Sequence, residues 1–199
     1  MYEAVVIGTS AGGMNALKTI LPTLPESFPL PIAVVQHIVK NSESYLAEYL
    51  NRISALTVKE AEDKEFMRQG TVYLAPPGYH LFIEPDRSFS LSQDPRVNFS
   101  CPAIDILFES AADAFENRLI GLILTGANSD GSLGLKTVKT QGGLSIVQNP
   151  ETAEAGYMPR AALDAAGADH ILNLEQIAPL LLQLRESPVG ESHVTDFHC

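Results

Sequence analysis

An apolar run, Ala4-Val5-Val6-Ile7, leads directly into the turn Gly8-Thr9-Ser10-Ala11-Gly12-Gly13, and the residues from Met14 to Leu21 then follow a helical pattern. This order predicts a buried strand, a tight turn and a helix, the opening unit of an α/β fold. Ser10 stands among small residues in the spacing G-x-S-x-G, which exposes a serine hydroxyl above the sheet edge. The alternative is that the three glycines only form a tight turn.

The same turn resembles a nucleotide-binding turn, but two features argue against a dinucleotide site. The pattern G-x-G-x-x-G needs a glycine where Ser10 stands, because the pyrophosphate approaches the backbone there. The second predicted strand, residues 31–35, is followed by Gln36-His37 and not by an acid for the ribose. A histidine at a strand end suits a general base.

A third candidate residue comes from the second half of the chain. The apolar run from Leu119 to Leu124 predicts a buried parallel strand, and Asp130 lies in the loop after it. Ser10, His37 and Asp130 therefore all follow carboxyl ends of predicted strands, where open α/β sheets bind ligands. Together they have the composition of a hydrolytic triad. Taken singly, Asp130 could cap the helix that begins near Ser132, and His37 could be a structural polar residue.

Strand and helix patterns alternate along the chain, which predicts an α/β fold: a doubly wound, mostly parallel sheet with helices on both faces. Residues 80–84 and 88–91 predict an antiparallel hairpin beside it. Further strands are expected at 71–75, 143–147 and 171–174, and further helices at 42–53 (capped by Ser42), 102–115 and 175–185. We expect a structural role for His80 and a solvated position for Asp105. Residues 1–186 form the predicted catalytic domain, and 187–199 a flexible tail.

The composition favours a compact enzyme and argues against several other classes. The chain has 199 residues, 45% of them hydrophobic, and its 24 acidic and 13 basic side chains give a net charge of −11. Such a surface repels nucleic acid and anionic lipid. Its two cysteines make neither a disulfide framework nor a metal motif. Without a signal-peptide pattern or a long apolar run, we expect a cytoplasmic protein with no membrane insertion.

The motifs, taken together, resemble the catalytic domain of the chemoreceptor protein-glutamate methylesterases of the CheB type. The matches extend in the family's order over nearly the whole chain, to about Leu174. The matching stretches are Val5–Gly13, Val35–His37, Val72–Pro76, Pro102 with Asp105–Phe108, Leu124–Gly126 with Asp130-Gly131, and Met158–Ala162.

This resemblance implies a serine hydrolase that removes methyl esters from glutamate side chains of chemoreceptors and releases methanol. It implies that Ser10 is the nucleophile, His37 the base and Asp130 the orienting carboxylate, with no cofactor and no metal. We expect backbone N–H groups of Ala11 and Ala127 to hold the oxyanion, and Thr9 to line the cleft.

The implied partners are the cytoplasmic helices of methyl-accepting chemoreceptors. The receiver domain that usually precedes this module is absent from the sequence, so we expect either that a separate protein, such as a response regulator, supplies control or that the domain is constitutively active. The chain has Ala127 and Asn128 where the family usually has methionine and glycine, and Cys101 and Ala103 where it commonly has arginine and serine. Two alternatives remain, a receptor glutamine deamidase that uses the same triad and a catalytically idle chemosensory interaction module.

Overall fold

The structure, a computed structural model, describes residues 1–37 and 45–184, and within them the chain forms an α/β fold. The helices are α1 Gly13–Ile20, α2 Tyr45–Ile53, α3 Ile104–Phe115, α4 Ser132–Thr140, α5 Tyr157–Ala166 and α6 Leu174–Leu184. The strands are β1 Ala4–Thr9, β2 Ile32–Gln36, β3 Thr57–Glu60, β4 Thr71–Leu74, β5 His80–Ile83, β6 Phe89–Ser92, β7 Leu119–Ile123, β8 Leu144–Gln148 and β9 His170–Leu172.

Seven of these strands form one parallel sheet in the order β3-β4-β2-β1-β7-β8-β9. Strand β1 lies at its centre, where Ile7 pairs with Val34 of β2 on one side and with Leu122 of β7 on the other. Strands β5 and β6 form a separate antiparallel hairpin. The predicted fold class, a mostly parallel sheet with an added hairpin, is confirmed.

Both faces of the sheet are covered, because successive side chains of a strand point to opposite faces and the central strands are apolar throughout. On β1, Val5 and Ile7 belong to the core shared with α1, α2 and α6. Ala4 and Val6 belong to the opposite core, which is shared with α3, α4, α5 and the hairpin. Ile104 of this second core packs against Gly8 and Gly131, beside the turn that carries Ser10 and the loop that carries Asp130.

Two adjacent glycines allow α1 to begin immediately after the β1 turn. Gly12 has a φ of 79°, in the left-handed region that favours glycine. A Cβ atom on Gly13 would collide with the Gln36 side-chain oxygen and the Thr9 hydroxyl. The turn that carries Ser10 is therefore held tightly against the end of β2.

The structure also departs from the expected elements. Strand β3 and helix α5 were not predicted as such, and α3 begins at Ile104, two residues after the expected start at Pro102. The predicted Ser42 cap and the tail from 187 onwards lie outside the described residues, so both stay predictions, as does the 1–186 domain boundary. Among the described helices, none has the length and apolar character needed to cross a membrane.

Candidate active site

The carboxyl ends of β2, β1 and β7 lie side by side and bring residues from distant parts of the chain together. After β1 the chain adds β2 on one side of β1, and only later adds β7 on the other side. The carboxyl end of β1 is therefore a topological switch point of the sheet. The Ser10 N–H donates to the Thr125 carbonyl at 3.0 Å, and the His37 N–H donates to the Thr9 carbonyl at 3.0 Å. Backbone hydrogen bonds thus tie the three strand ends into one unit.

His37 and Asp130 are in direct contact. His37 Nε2 lies 2.8 Å from Asp130 Oδ2, and the carboxylate is fully buried. The same oxygen accepts the Ile104 N–H at 2.7 Å, and Oδ1 accepts the Asp105 N–H at 3.2 Å. Asp130 therefore sits at the N-terminus of α3, where free backbone N–H groups favour negative charge.

These contacts keep Asp130 ionised. Burial alone would raise the pKa of the Asp130 carboxyl, because it disfavours the charged form. The hydrogen bonds from His37, Ile104 and Asp105 outweigh burial and hold the pKa of Asp130 below its usual value. Since the carboxylate faces Nε2, that nitrogen carries the proton, and Nδ1 is the basic nitrogen of neutral His37.

His37 Nδ1 faces an amide group. The Asn128 side-chain nitrogen lies 3.3 Å from His37 Nδ1, and Asn128 Oδ1 accepts the Asp130 N–H at 3.2 Å. Because the backbone N–H can only donate, it fixes which end of the amide is oxygen and so directs the NH₂ group at His37.

Ser10 lies at the same cleft as His37 and Asn128. The cleft has a volume of about 880 Å³, and all three residues line it. Within residues 1–37 and 45–184 the Ser10 hydroxyl makes no hydrogen bond, while the backbone on both sides of it is held. The structure thus brings Ser10, His37 and Asp130 to one site, with the histidine–carboxylate pair formed and the serine facing the cleft.

The residues predicted to hold an oxyanion or line the cleft have different positions. Ala11 and Ala127 are exposed, just beyond the ends of β1 and β7, and their N–H groups donate to no described residue. The expectation that Thr9 lines the cleft is wrong. Thr9 is fully buried and its hydroxyl donates to the Thr125 carbonyl at 2.9 Å, so it joins β1 to the β7 loop.

Gln36 holds the serine and histidine segments in fixed relation, a role that the sequence argument missed. Its side-chain nitrogen donates to the Ser10 carbonyl at 2.8 Å and to the His37 carbonyl at 2.9 Å. One amide therefore joins the β1 turn to the end of β2. The signal was present in the sequence, since Gln36 stands at the strand end immediately before His37.

Asp105 is a second buried carboxylate beside Asp130, and the expectation that it is solvated is wrong. Its side chain is only 4% exposed and accepts the Gly134 N–H at 2.7 Å and the Asn98 amide at 2.7 Å. Burial raises the pKa of Asp105, and repulsion by Asp130 adds to the rise. Asp105 points away from the apolar stripe of α3, but towards the start of α4 and not towards water.

The outer wall of the cleft is the segment from Gln93 to Pro102, which His80 fixes from below. His80 is fully buried, accepts the Ala103 N–H at Nδ1 and donates from Nε2 to the Pro95 carbonyl, both at 3.2 Å. This agrees with the structural role expected of His80. The wall carries Arg96 and the 94% exposed Phe99. In the described part of the chain, no cluster of three or more His, Cys, Asp or Glu side chains could hold a metal.

The architecture and motifs of this chain match one family. The family model described as CheB methylesterase matches residues 5–181. The chain belongs to the CheB methylesterase family. The crystal structure of the Thermotoga maritima CheB methylesterase catalytic domain superposes on this chain with a TM-score of 0.88 at 38% identity, covering 92% of this chain and 99% of that one.

Relatives in this family carry consistent names. A Leptospira interrogans protein, provisionally named for both methylesterase and glutaminase activities, is 54% identical over 94% of this chain and 96% of its own length. The protein-glutamate methylesterase/protein-glutamine glutaminase 1 of Carboxydothermus hydrogenoformans is 41% identical over 88% of this chain and 53% of its own. This chain thus spans about half of that relative. The methylesterase prediction is confirmed at the level of the family.

Proposed function

We propose that this CheB-family domain hydrolyses methyl esters of glutamate side chains on chemoreceptors, using Ser10, His37 and Asp130. The proposal rests mainly on one observation. A buried, ionised Asp130 contacts His37 Nε2 at 2.8 Å on the cleft that Ser10 lines. A carboxylate in this position fixes the imidazole tautomer and stabilises the imidazolium that forms during acyl transfer.

In the proposed reaction, His37 Nδ1 takes the Ser10 proton while Oγ bonds to the ester carbonyl carbon. The resulting tetrahedral oxyanion accepts hydrogen bonds from the Ala11 and Ala127 N–H groups. The carbon–methoxy bond then breaks, and His37 returns the proton so that methanol leaves. Water, deprotonated by His37, cleaves the Ser10 acyl ester, which frees the glutamate carboxylate and restores the serine hydroxyl.

The cleft suits a side chain that projects from a protein surface. It is wide, and its wall carries both an exposed aromatic ring at Phe99 and a cation at Arg96. Exposed aromatic and arginine side chains are typical of protein-binding surfaces. The cytoplasmic helices of a methyl-accepting receptor therefore fit as the partner.

The test compares Ser10→Ala with Ser129→Ala, an exposed serine in the Asp130 loop. Both variants are mixed with receptor that carries radiolabelled methyl esters, and released methanol is measured. Ser10→Ala should lose at least about 10³-fold in rate because the nucleophile is gone, while Ser129→Ala keeps the wild-type rate. Methanol release by Ser10→Ala at the wild-type rate would refute the assignment. If the wild-type domain releases no methanol and Ser10 does not react with a fluorophosphonate, the idle-module alternative is favoured.

Glutamine deamidation is a second candidate, because two of the relatives described above are also named as glutaminases. The same Ser10 attack on a side-chain amide gives the same acyl ester, with ammonia in place of methanol as the leaving group. The test uses receptor that carries glutamine at the positions of the methylated glutamates. Ammonia release by the wild-type domain that is lost in Ser10→Ala would establish deamidation as a second activity.

A further inference from the structure

The side-chain amide of Asn128 donates a hydrogen bond to His37 Nδ1, the nitrogen that acts as the base in the proposed reaction. Asp130, His37 and Asn128 form a closed ring of hydrogen bonds: His37 Nε2 donates to the Asp130 carboxylate, Asn128 Nδ2 donates to His37 Nδ1, and the Asp130 N–H donates to Asn128 Oδ1. Each donor meets an acceptor only if His37 is neutral with its proton on Nε2.

This ring leaves no acceptor for the Ser10 proton. His37 Nε2 already carries a proton and faces the buried carboxylate, so Nδ1 has the only available nitrogen lone pair of the imidazole. The Asn128 amide lies 3.3 Å from it, and the Ser10 hydroxyl has no hydrogen bond to any described residue. The serine and the amide therefore compete for one lone pair.

The conflict increases once Nδ1 is protonated. The imidazolium has a donor on both nitrogens, and Asn128 would then direct a second donor at Nδ1. Asn128 cannot resolve this by exchanging its two ends, because its oxygen is held by the Asp130 N–H at 3.2 Å. The side chain must turn towards the cleft, which it already lines, before the base can accept a proton.

We infer that Asn128 is a cap on the base: its amide holds His37 Nδ1 in the resting enzyme, and the Ser10 hydroxyl replaces it when an ester enters the cleft. Asn128 acts through His37 and is a positioning residue. The inference rests on the proposed function, because it concerns the base of that reaction. One neutral hydrogen bond contributes modestly, so removal of the cap should change rates by about two- to tenfold.

The experiment compares Asn128→Ala and Asn128→Asp with wild type, using the rate at which a small fluorophosphonate modifies Ser10. In that reaction the serine oxygen bonds to phosphorus, fluoride leaves and His37 takes the proton. Asn128→Ala removes the competing donor and should accelerate labelling by about two- to tenfold. Asn128→Asp keeps an acceptor for the Asp130 N–H, but its carboxylate faces His37 Nδ1 and stabilises a proton there. Because a protonated Nδ1 cannot accept the Ser10 proton, labelling should slow.

A purely structural Asn128 predicts the opposite order, because aspartate preserves the loop hydrogen bond and alanine does not. Labelling of Asn128→Ala at or below the wild-type rate would overturn the cap, as would labelling of Asn128→Asp at or above it. The Asp variant alone decides the question if the Ala variant does not fold. Ser129→Ala serves as the control in the same loop. Failure of wild type to label at Ser10 would instead count against the proposed function.

Discussion

Asp130 accepts hydrogen bonds on both carboxylate oxygens, and this links the candidate site to the fold. Its partners are the His37 ring, the first two N–H groups of α3, from Ile104 and Asp105, and the Asn98 side-chain amide. The carboxylate that orients the imidazole is therefore also the group that satisfies the N-terminus of a core helix. A substitution here should affect both activity and stability.

Asp130→Asn provides the first prediction. An amide at this position would present a donor where the carboxylate accepts, so the wrong imidazole tautomer is favoured. Methyl-ester hydrolysis should fall by about 10⁴-fold, as such an exchange does in serine proteases. The measurement is methanol release under conditions where circular dichroism shows a folded variant. A decrease of less than about tenfold would contradict the proposed role.

The acid sensitivity of the fold supplies a second prediction. The pKa of Asp130 is lower in the folded chain than its unfolded value near 3.9, so its charge stabilises the fold above about pH 4. That contribution is lost as the pH falls through the folded pKa. The free energy of unfolding of wild type should thus exceed that of Asp130→Asn most at neutral pH, and the difference should narrow in acid. Urea denaturation from pH 3 to 7 measures it, and a constant difference would contradict the prediction.

Ser10, His37 and Asp130 could be found from the sequence because each follows an apolar strand, and parallel strands end at one edge. Asn128 and Asp105 could not be found in this way. Their roles depend on which neighbour each side chain reaches across the β7–α4 and α3–α4 junctions. The position of Asp105 off the apolar stripe predicts exposure to solvent, but helix periodicity cannot show that the α4 N-terminus covers that side.

At the scale of elements, the cleft wall depends on one buried histidine of β5. His80 joins residues 95 and 103, so the segment that carries Arg96 and Phe99 is anchored at two points. The hairpin, which is not part of the parallel sheet, therefore positions the outer side of the site. This explains why a histidine is fully buried at a strand start in this chain.

His80→Phe tests this role and provides a third prediction. Phenylalanine fills the space but leaves the buried Ala103 N–H without a partner, at a cost of about 1–3 kcal/mol, and it releases the carbonyl of the exposed Pro95. The KM for methylated receptor should rise more than kcat falls, because the wall binds substrate and performs no chemistry. His170→Phe, on strand β9 away from the cleft, is the matched control. An unchanged KM in His80→Phe would contradict the anchor role.

The sequence predicts strongly apolar strands more accurately than strands with few apolar residues. Strands β1, β2 and β7 are apolar and were located to within one or two residues. Strand β3, Thr57–Glu60, has Val58 as its one buried residue, so its short pattern does not stand out. Helix α5 does not stand out in the sequence, because Pro159 in its first turn gives a turn-like signal, although proline is well tolerated there.

The whole molecule divides its two cores between different tasks. One core, under α1, α2 and α6, supports the sheet from the side away from the cleft wall. The other contains α3, whose N-terminus binds Asp130, and Ile104 of this helix packs against Gly8 and Gly131. The same loss of stability should therefore have different effects on activity, depending on the core in which it occurs.

Ile104→Ala and Ile177→Ala form a matched pair for this last prediction, because both residues are fully buried isoleucines, one in each core. Each substitution should lower the free energy of unfolding by about 2–5 kcal/mol by creating a cavity. Ile104→Ala should also slow phosphonate labelling of Ser10, since the cavity lies between the β1 turn and the helix end that holds Asp130. Ile177→Ala should label at the wild-type rate when measured at a temperature where all variants are folded. Labelling of Ile104→Ala at the wild-type rate would show that the α3 core does not position the site, and labelling of Ile177→Ala below the wild-type rate would show that both cores do.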